Sequence, residues 1–207
     1  MAGTFIVFEG PEGAGKSVQA TRLATLLRAR GLNVLQTREP GGTPIGDEIR
    51  TVLLSSRDCA MLPETEVLLL AASRAQLVRS TIQPALARGE VVICDRYVDS
   101  SLAYQGGGRQ LPMAPLLSIQ AYATGGLKPD IRILLDLPVA IGVQRRFADP
   151  GTVNRIDNDE IAFHERVRAA YLDLVLKHPA DWIVIDGSAS IDDVARDITA
   201  AISDRIE

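Results

Sequence analysis

Glycines, a lysine and a hydroxyl residue at fixed spacing are the first reactive pattern in this chain. Gly10-Pro11-Glu12-Gly13-Ala14-Gly15-Lys16-Ser17 matches G-x-x-x-x-G-K-[ST]. In such a loop the glycines let backbone N–H groups wrap an anion, and the following helix N-terminus adds its dipole. Lys16 would reach the β- and γ-phosphates of a nucleotide, and the Ser17 hydroxyl would ligate Mg²⁺. Farther along, Asp95-Arg96-Tyr97 ends an apolar run. Asp95 can hold Mg²⁺ there, directly or through water, and Arg96 can grip a second phosphate with its planar fork. Without context the same two residues also read as a surface pair. Glu12 is anomalous, because phosphate repels a carboxylate. It must point away, bind metal or accept a sugar hydroxyl. Arg74 lies in a mostly apolar helical pattern, where it either snorkels to solvent or contacts a ligand. Arg50 reads as exposed.

These groups need elements to position them. Apolar runs predict strands at Thr4–Glu9, Asn33–Arg38, Val91–Asp95, Ile131–Leu137 and Trp182–Asp186. Most are apolar on both faces, as central parallel strands are. Helical patterns separate them: Val18–Arg30, Pro44–Leu54, Pro63–Arg88 with an interruption at Pro84, Leu111–Thr124, Pro138–Phe147, Ile161–Lys177 and Ile191–Ile206. The alternation predicts an α/β fold, a doubly wound five-stranded parallel sheet flanked by helices, with its ligand edge at the strand C-termini. Three stretches stand out as loops: Glu39-Pro-Gly-Gly42, Gln105-Gly-Gly-Gly-Arg109 and Asp149-Pro-Gly-Thr-Val-Asn154. The last is edged by Arg145, Arg146 and Arg155. It reads either as a mobile lid over phosphates, at about residues 146–157, or as an ordinary solvated connection.

The chain has 207 residues, which suits one domain, residues 1–207. Its 46% hydrophobic content is enough for a sizeable core, and its net charge of −4 argues against nucleic-acid or acidic-membrane binding. Cys59 and Cys94 suggest a reducing compartment rather than a disulfide framework. No run approaches the length of a membrane span, and no charged leader precedes the first strand. The expectation is a cytoplasmic protein.

Five segments together resemble bacterial thymidylate kinases: Phe8-Glu-Gly-Pro-Glu-Gly-Ala-Gly-Lys-Ser17, Thr37-Arg-Glu-Pro-Gly-Gly-Thr43, Ala71-Ala-Ser-Arg-Ala-Gln-Leu77, Asp95-Arg-Tyr-Val-Asp-Ser-Ser-Leu-Ala-Tyr-Gln105 and Asn154-Arg-Ile-Asp157. The resemblance covers nearly the whole chain. It implies a P-loop NTPase-type fold with a short lid, and transfer of the ATP γ-phosphate to dTMP with Mg²⁺, giving dTDP and ADP. ATP would lie on Gly10 through Val18, with Arg145 and Ser188 beside the adenine. The dTMP phosphate would meet Arg96, with Arg38, Glu39, Pro40 and Arg50 nearby. Arg74 would hydrogen-bond the thymine edge, and Leu70 would cover the ring. Ser101, Tyr104 and Gln105 would complete the nucleoside pocket, Tyr104 crowding the 2′ position. Glu12 would face the sugar 3′-hydroxyl and, with Ser17 and Asp95, the metal. The family also implies a homodimer.

Two departures sharpen the expectations. Many relatives carry Phe where this chain has Leu70, so base cover here lacks a π-face. Relatives also place an arginine in the phosphate loop or mid-lid. This chain has neither, since Asp149, Pro150 and Gly151 stand where a base is expected. The remaining donors are Arg145, Arg146 and Arg155. Arg146 is nominated to face the γ-phosphate, and Asp157 is expected to hold Arg155. Two rival readings stay open. A deoxynucleoside kinase would need a base beside an uncharged hydroxyl and no arginine cluster for an acceptor phosphate. A nucleotide-binding regulator with little turnover is favoured only by the thin lid.

Overall fold

The computed structural model describes residues 3–55, 60–148, 154–157 and 159–206. The stretch 149–153, where the lid reading centres, and Cys59 lie outside them. Five parallel strands form one sheet in the order β2-β3-β1-β4-β5. They are β1 (Thr4–Glu9), β2 (Val34–Arg38), β3 (Val91–Asp95), β4 (Ile131–Asp136) and β5 (Trp182–Asp186). All five match the expected strands to within one residue at either end. The central strand explains its own composition: Phe5 and Val7 point into one helix layer, Ile6 and Phe8 into the other, and all four are fully buried. Each such side chain contributes about 1.5–3 kcal/mol of burial.

One layer holds α1 (Lys16–Ala29) and α9 (Ile191–Ile202), whose Leu23, Leu27, Ile198 and Ile202 pack on the face of Ile6 and Phe8. On the opposite face lie α3 (Pro63–Leu77), α4 (Gln83–Ala87) and the turn between them, bringing Leu77, Val78, Ile82 and Ala85 to Phe5 and Val7. Between these two helices residues Val78–Ile82 form a wide π-helical turn, in which the Gln83 N–H donates to the Val78 carbonyl. That turn absorbs the interruption expected at Pro84, which cannot donate to a regular helical bond. The remaining helices are α2 (Pro44–Leu54), α5 (Val98–Ser101), α6 (Met113–Thr124), α7 (Val139–Phe147) and α8 (Ile161–Lys177).

One expectation is overturned. Gln105-Gly-Gly-Gly-Arg109 is not an open loop, because Leu102–Gly108 continues α5 as a π-helical segment. Its glycines serve close packing against α8. A Cβ on Gly107 would lie 2.4 Å from the Ala170 Cβ, and one on Gly108 would lie 2.4 Å from the Phe163 ring. Composition alone reads three glycines as a turn, since their packing partner is distant in sequence.

Candidate active site

The C-terminal ends of β1, β3 and β2 converge on one edge, each delivering a functional segment. Backbone bonds lock them together: Arg96 N–H donates to the Phe8 carbonyl at 2.9 Å, and Glu39 N–H to the Asp95 carbonyl at 2.9 Å. The cleft they border has a volume of about 530 Å³. Its lining holds Glu12, Gly13, Gly15, Lys16, Ser17 and Val18 from the first segment, Arg38, Glu39, Pro40 and Arg50 from the second, and Asp95, Arg96, Ser101, Tyr104 and Gln105 from the third. Leu70, Arg74, Arg145 and Arg146 join them. Gly10, Pro11 and Ala14 are buried in the loop's frame, behind the lining.

The phosphate loop is built tightly. Gly13 adopts φ +71°, and a Cβ there would strike the Gly142 carbonyl of α7 at 2.3 Å, so only glycine fits. α1 starts at Lys16 behind Gly15, and no side chain caps it. Its first N–H groups therefore keep their capacity to bind an anion. The Lys16 ammonium is buried and donates to the carbonyls of Gly10 (3.0 Å) and Pro11 (2.7 Å). Burial, and then the nearby Arg96 charge, lower its pKa to about 8. Ser17 Oγ donates directly to Asp95 Oδ2. These two hard oxygens sit together on the cleft wall. Among the described residues no cluster of three or more His, Cys, Asp or Glu forms a metal cage. The donor set fits Mg²⁺ shared between one or two protein oxygens and nucleotide phosphates, the usual arrangement for that ion.

Arg96 is the most constrained residue of the site. It holds φ +73°, a left-handed conformation that costs a non-glycine residue about 1–3 kcal/mol. Its side chain is held on every side. Nη1 faces the Gly10 carbonyl (3.1 Å), the Ser100 hydroxyl (3.1 Å) and the Tyr171 hydroxyl (3.3 Å). Nη2 donates to the Tyr104 hydroxyl at 2.9 Å and lies 3.0 Å from Glu12 Oε1. The guanidinium stacks over the Tyr104 ring at 4.8 Å. Glu12 thereby loses its anomaly. Burial opposes its charge, but Arg96, Lys16 and the Tyr104 hydroxyl bring its pKa down to about 2.

Arg74 does not snorkel. It is 1% exposed, and its donors are taken: Nε and Nη2 by Glu39, Nη1 by Ser101 and Gln120, and Nη2 also by the Tyr97 carbonyl. Burial opposes its charge, and the Glu39 carboxylate more than offsets that, raising its pKa. Its partners anchor the Glu39–Gly42 loop to α3, a link that Gly41 N–H to Ser73 Oγ (3.0 Å) repeats. Either charge alone in that setting would cost about 3–5 kcal/mol. Arg74 thus shapes one end of the cleft it lines while its own hydrogen-bond capacity goes to protein. Among the described residues Ser101 Oγ accepts from Arg74 and has no acceptor for its own proton, and Gln105 Oε1 has no partner. Arg38 and Arg50 stand at the rim, Arg38 near Asp47 at 3.4 Å and Arg50 donating to the Pro40 carbonyl at 3.0 Å.

The arginines on either side of residues 149–153 in sequence are sorted by their partners. Arg145 donates to the carbonyls of Gly187 (2.7 Å) and Ser188 (3.2 Å), so it orders the turn after β5. Ser188 itself lies outside the cleft lining. Arg146 lines the cleft and pairs with Asp157 at 2.9 Å. Arg155 corrects two expectations. Asp157 does not hold it, and it does not face the phosphate loop. Arg155 turns to α3, where it pairs with Glu66 and donates to the Leu53 carbonyl at 3.2 Å. The reason is Glu66, a carboxylate 1% exposed that also accepts from Gln105 Nε2 (2.8 Å) and lies 3.4 Å from Arg109. Sequence reading missed Glu66, as it missed Glu9, Ser100, Gln120 and Tyr171. A polar residue inside an otherwise apolar helix or strand pattern was the available signal.

The comparisons agree with this geometry. Residues 8–198 match the family model described as thymidylate kinase. The chain is 50% identical over 200 residues to a thymidylate kinase of Thermomicrobium roseum, covering 97% of this chain and 94% of that one. It is 50% identical over 203 residues to a thymidylate kinase of Deinococcus radiodurans, covering 98% of each. A thymidylate kinase of Pseudomonas putida is 45% identical over 207 residues, covering 100% of this chain and 98% of its own. With a G-x-x-x-x-G-K-S loop opening a helix at the cleft and matches across nearly its whole length, the chain belongs to the thymidylate kinase family.

Proposed function

We propose that this cleft transfers the γ-phosphate of ATP to dTMP, giving dTDP and ADP. The observation that carries the reading is Arg96, strained and facing the same cleft as Lys16 and Ser17, in a member of the thymidylate kinase family. Arg96 would grip the acceptor phosphate, with Arg38 and Arg50 adding positive charge at the rim. A bound acceptor phosphate is already anionic at neutral pH, so no strong general base is needed. Catalysis then rests on alignment and charge neutralisation. Gly13, Gly15 and the open α1 N-terminus would cradle the donor phosphates, and Lys16 would neutralise charge on the transferring group. Ser17 and Asp95 would hold Mg²⁺ with those phosphates, and that ion would add further charge neutralisation. Ser101 and Gln105 offer donor and acceptor capacity for the base edge, Leu70 covers the ring, and Tyr104 with Glu12 borders the sugar.

The experiment is binding of dTMP and thymidine to Arg96→Ala by calorimetry. The reading expects dTMP affinity to fall by about a hundredfold, as for loss of a buried phosphate fork worth ~3 kcal/mol, with thymidine affinity nearly unchanged. Equal affinities of the variant and the parent for dTMP would remove Arg96 from the phosphate.

Two further parts of the proposal concern setting. A homodimer through α3 and α6 is supported by exposed Leu68 (59%), Leu117 (49%) and Tyr122 (84%) on these adjoining helices. Sedimentation as a monomer at working concentration would contradict it. Among the described residues no helix is long and apolar enough to cross a membrane. An ATP-rich, reducing cytoplasm is the compartment this reaction requires, and fractionation of cells with the bulk of the protein in the membrane pellet would speak against it.

A further inference from the structure

Behind the cleft lies a buried hydroxyl bridge that no step so far uses. Glu9, at the end of β1, is fully buried. It is satisfied by hydrogen bonds: Tyr97 N–H (2.9 Å) and Ser100 N–H (3.2 Å) donate to Oε1, and the hydroxyls of Ser100 (2.5 Å) and Tyr171 (2.8 Å) donate to Oε2. Tyr171 comes from α8 and is 1% exposed. It does not line the cleft. Its hydroxyl lies 2.8 Å from Glu9 Oε2 and 2.9 Å from Ser100 Oγ, so its proton has acceptors on the side away from Arg96 Nη1. The oxygen lone pairs are therefore left to face Arg96 Nη1, 3.3 Å away. The Tyr171 ring is held edge-on to Tyr104 at 6.3 Å, and Tyr104 stacks on the same guanidinium.

We infer that Tyr171 is a positioning residue for the acceptor phosphate: its hydroxyl, oriented by Glu9, fixes the inner edge of Arg96 so that the fork faces the cleft. The inference rests on the proposed assignment of Arg96 to the dTMP phosphate. Neutral hydroxyls suit this task. Arg96 already meets one carboxylate, Glu12, on Nη2, and the neutral hydroxyls on Nη1 aim the cation without adding a second direct ion pair. The bridge also ties the middle of α8 to Arg96.

The test is calorimetric titration of dTMP and of thymidine into the parent, Tyr171→Phe, Arg96→Ala and the double substitution, with a thermal melt of each. Tyr171→Phe should weaken dTMP by about three- to tenfold, the size of one net hydrogen bond, and leave thymidine within about twofold. In the double substitution it should cause no further loss, because its effect passes through Arg96. Equal weakening of dTMP and thymidine would mean that Tyr171 only supports the fold, and dTMP affinity within about twofold of the parent would remove the link. If Arg96→Ala weakens dTMP and Tyr171→Phe does not, the inference alone fails. If Arg96→Ala itself spares dTMP, the assignment beneath it fails as well. Should Tyr171→Phe not fold, Ser100→Ala removes the other hydroxyl between Glu9 and Arg96 and is read by the same dTMP-against-thymidine difference.

Discussion

Lys16→Ala should remove nearly all turnover, by about 10³-fold or more, and leave the fold intact. Its ammonium donates to the Gly10 and Pro11 carbonyls, which belong to its own loop, so its loss disturbs little packing. The charge it would supply to the transferring phosphate has no substitute within the loop, which holds no other cation. The same residue sets a pH limb. Burial favours the neutral amine, so the pKa is lowered to about 8 and the cation is lost as pH rises through that value. The cation is the form that binds phosphate. The kcat/KM for ATP should therefore fall above pH 8, since that ratio reports groups on the free enzyme. Steady-state kinetics and a circular-dichroism melt of Lys16→Ala read both parts. Retention of more than about a tenth of kcat would contradict the role.

Arg146→Ala should lower kcat by about 10²-fold or more with dTMP affinity nearly unchanged, the pattern of an interaction made mainly in the transition state. Neither the phosphate loop nor residues 149–153 contain an arginine. Of the nearby candidates, Arg155 is turned to Glu66 and Arg145 holds the Gly187 and Ser188 carbonyls. Arg146 lines the cleft, and its charge is one of those that depress Glu12. Its ion pair with Asp157 holds it in place. Single-turnover rates beside dTMP titrations separate the two quantities. A kcat within about a factor of two of the parent would return the γ-phosphate contact to another residue.

The strands and the phosphate loop were legible because their signals are local. Phe5-Ile-Val-Phe8 is apolar on both faces wherever it is read, and the glycine spacing before Lys16 has few other uses. Asp95 and Arg96 were legible for the same reason, since a charged pair closing an apolar strand marks the ligand edge. Partners contributed by distant elements were not legible. Arg155 and Asp157 are neighbours in sequence, yet Glu66 of α3 takes one and Arg146 of α7 pairs with the other. Gly106 to Gly108 carry a turn-like composition, and only the close approach of α8 makes them helical. Arg74 posed a choice between solvent and ligand, and the structure gives a third outcome, a buried pair with Glu39. Tyr171 lies in the sequence as one aromatic residue in a helix, and its role depends on Glu9 lying 162 positions away.

The account's central claim is that the cleft accepts a phosphate rather than a hydroxyl. Its most direct measurement is turnover of the purified protein with ATP and Mg²⁺ on dTMP, dUMP and thymidine in parallel, following ADP release and product identity. The arginines at Arg38, Arg50 and Arg96, and the lack of any need for a base, predict rapid dTDP formation from dTMP and no product from thymidine. Phosphorylation of thymidine faster than dTMP would contradict the claim, because it would require a deprotonating group that this site has not been built around.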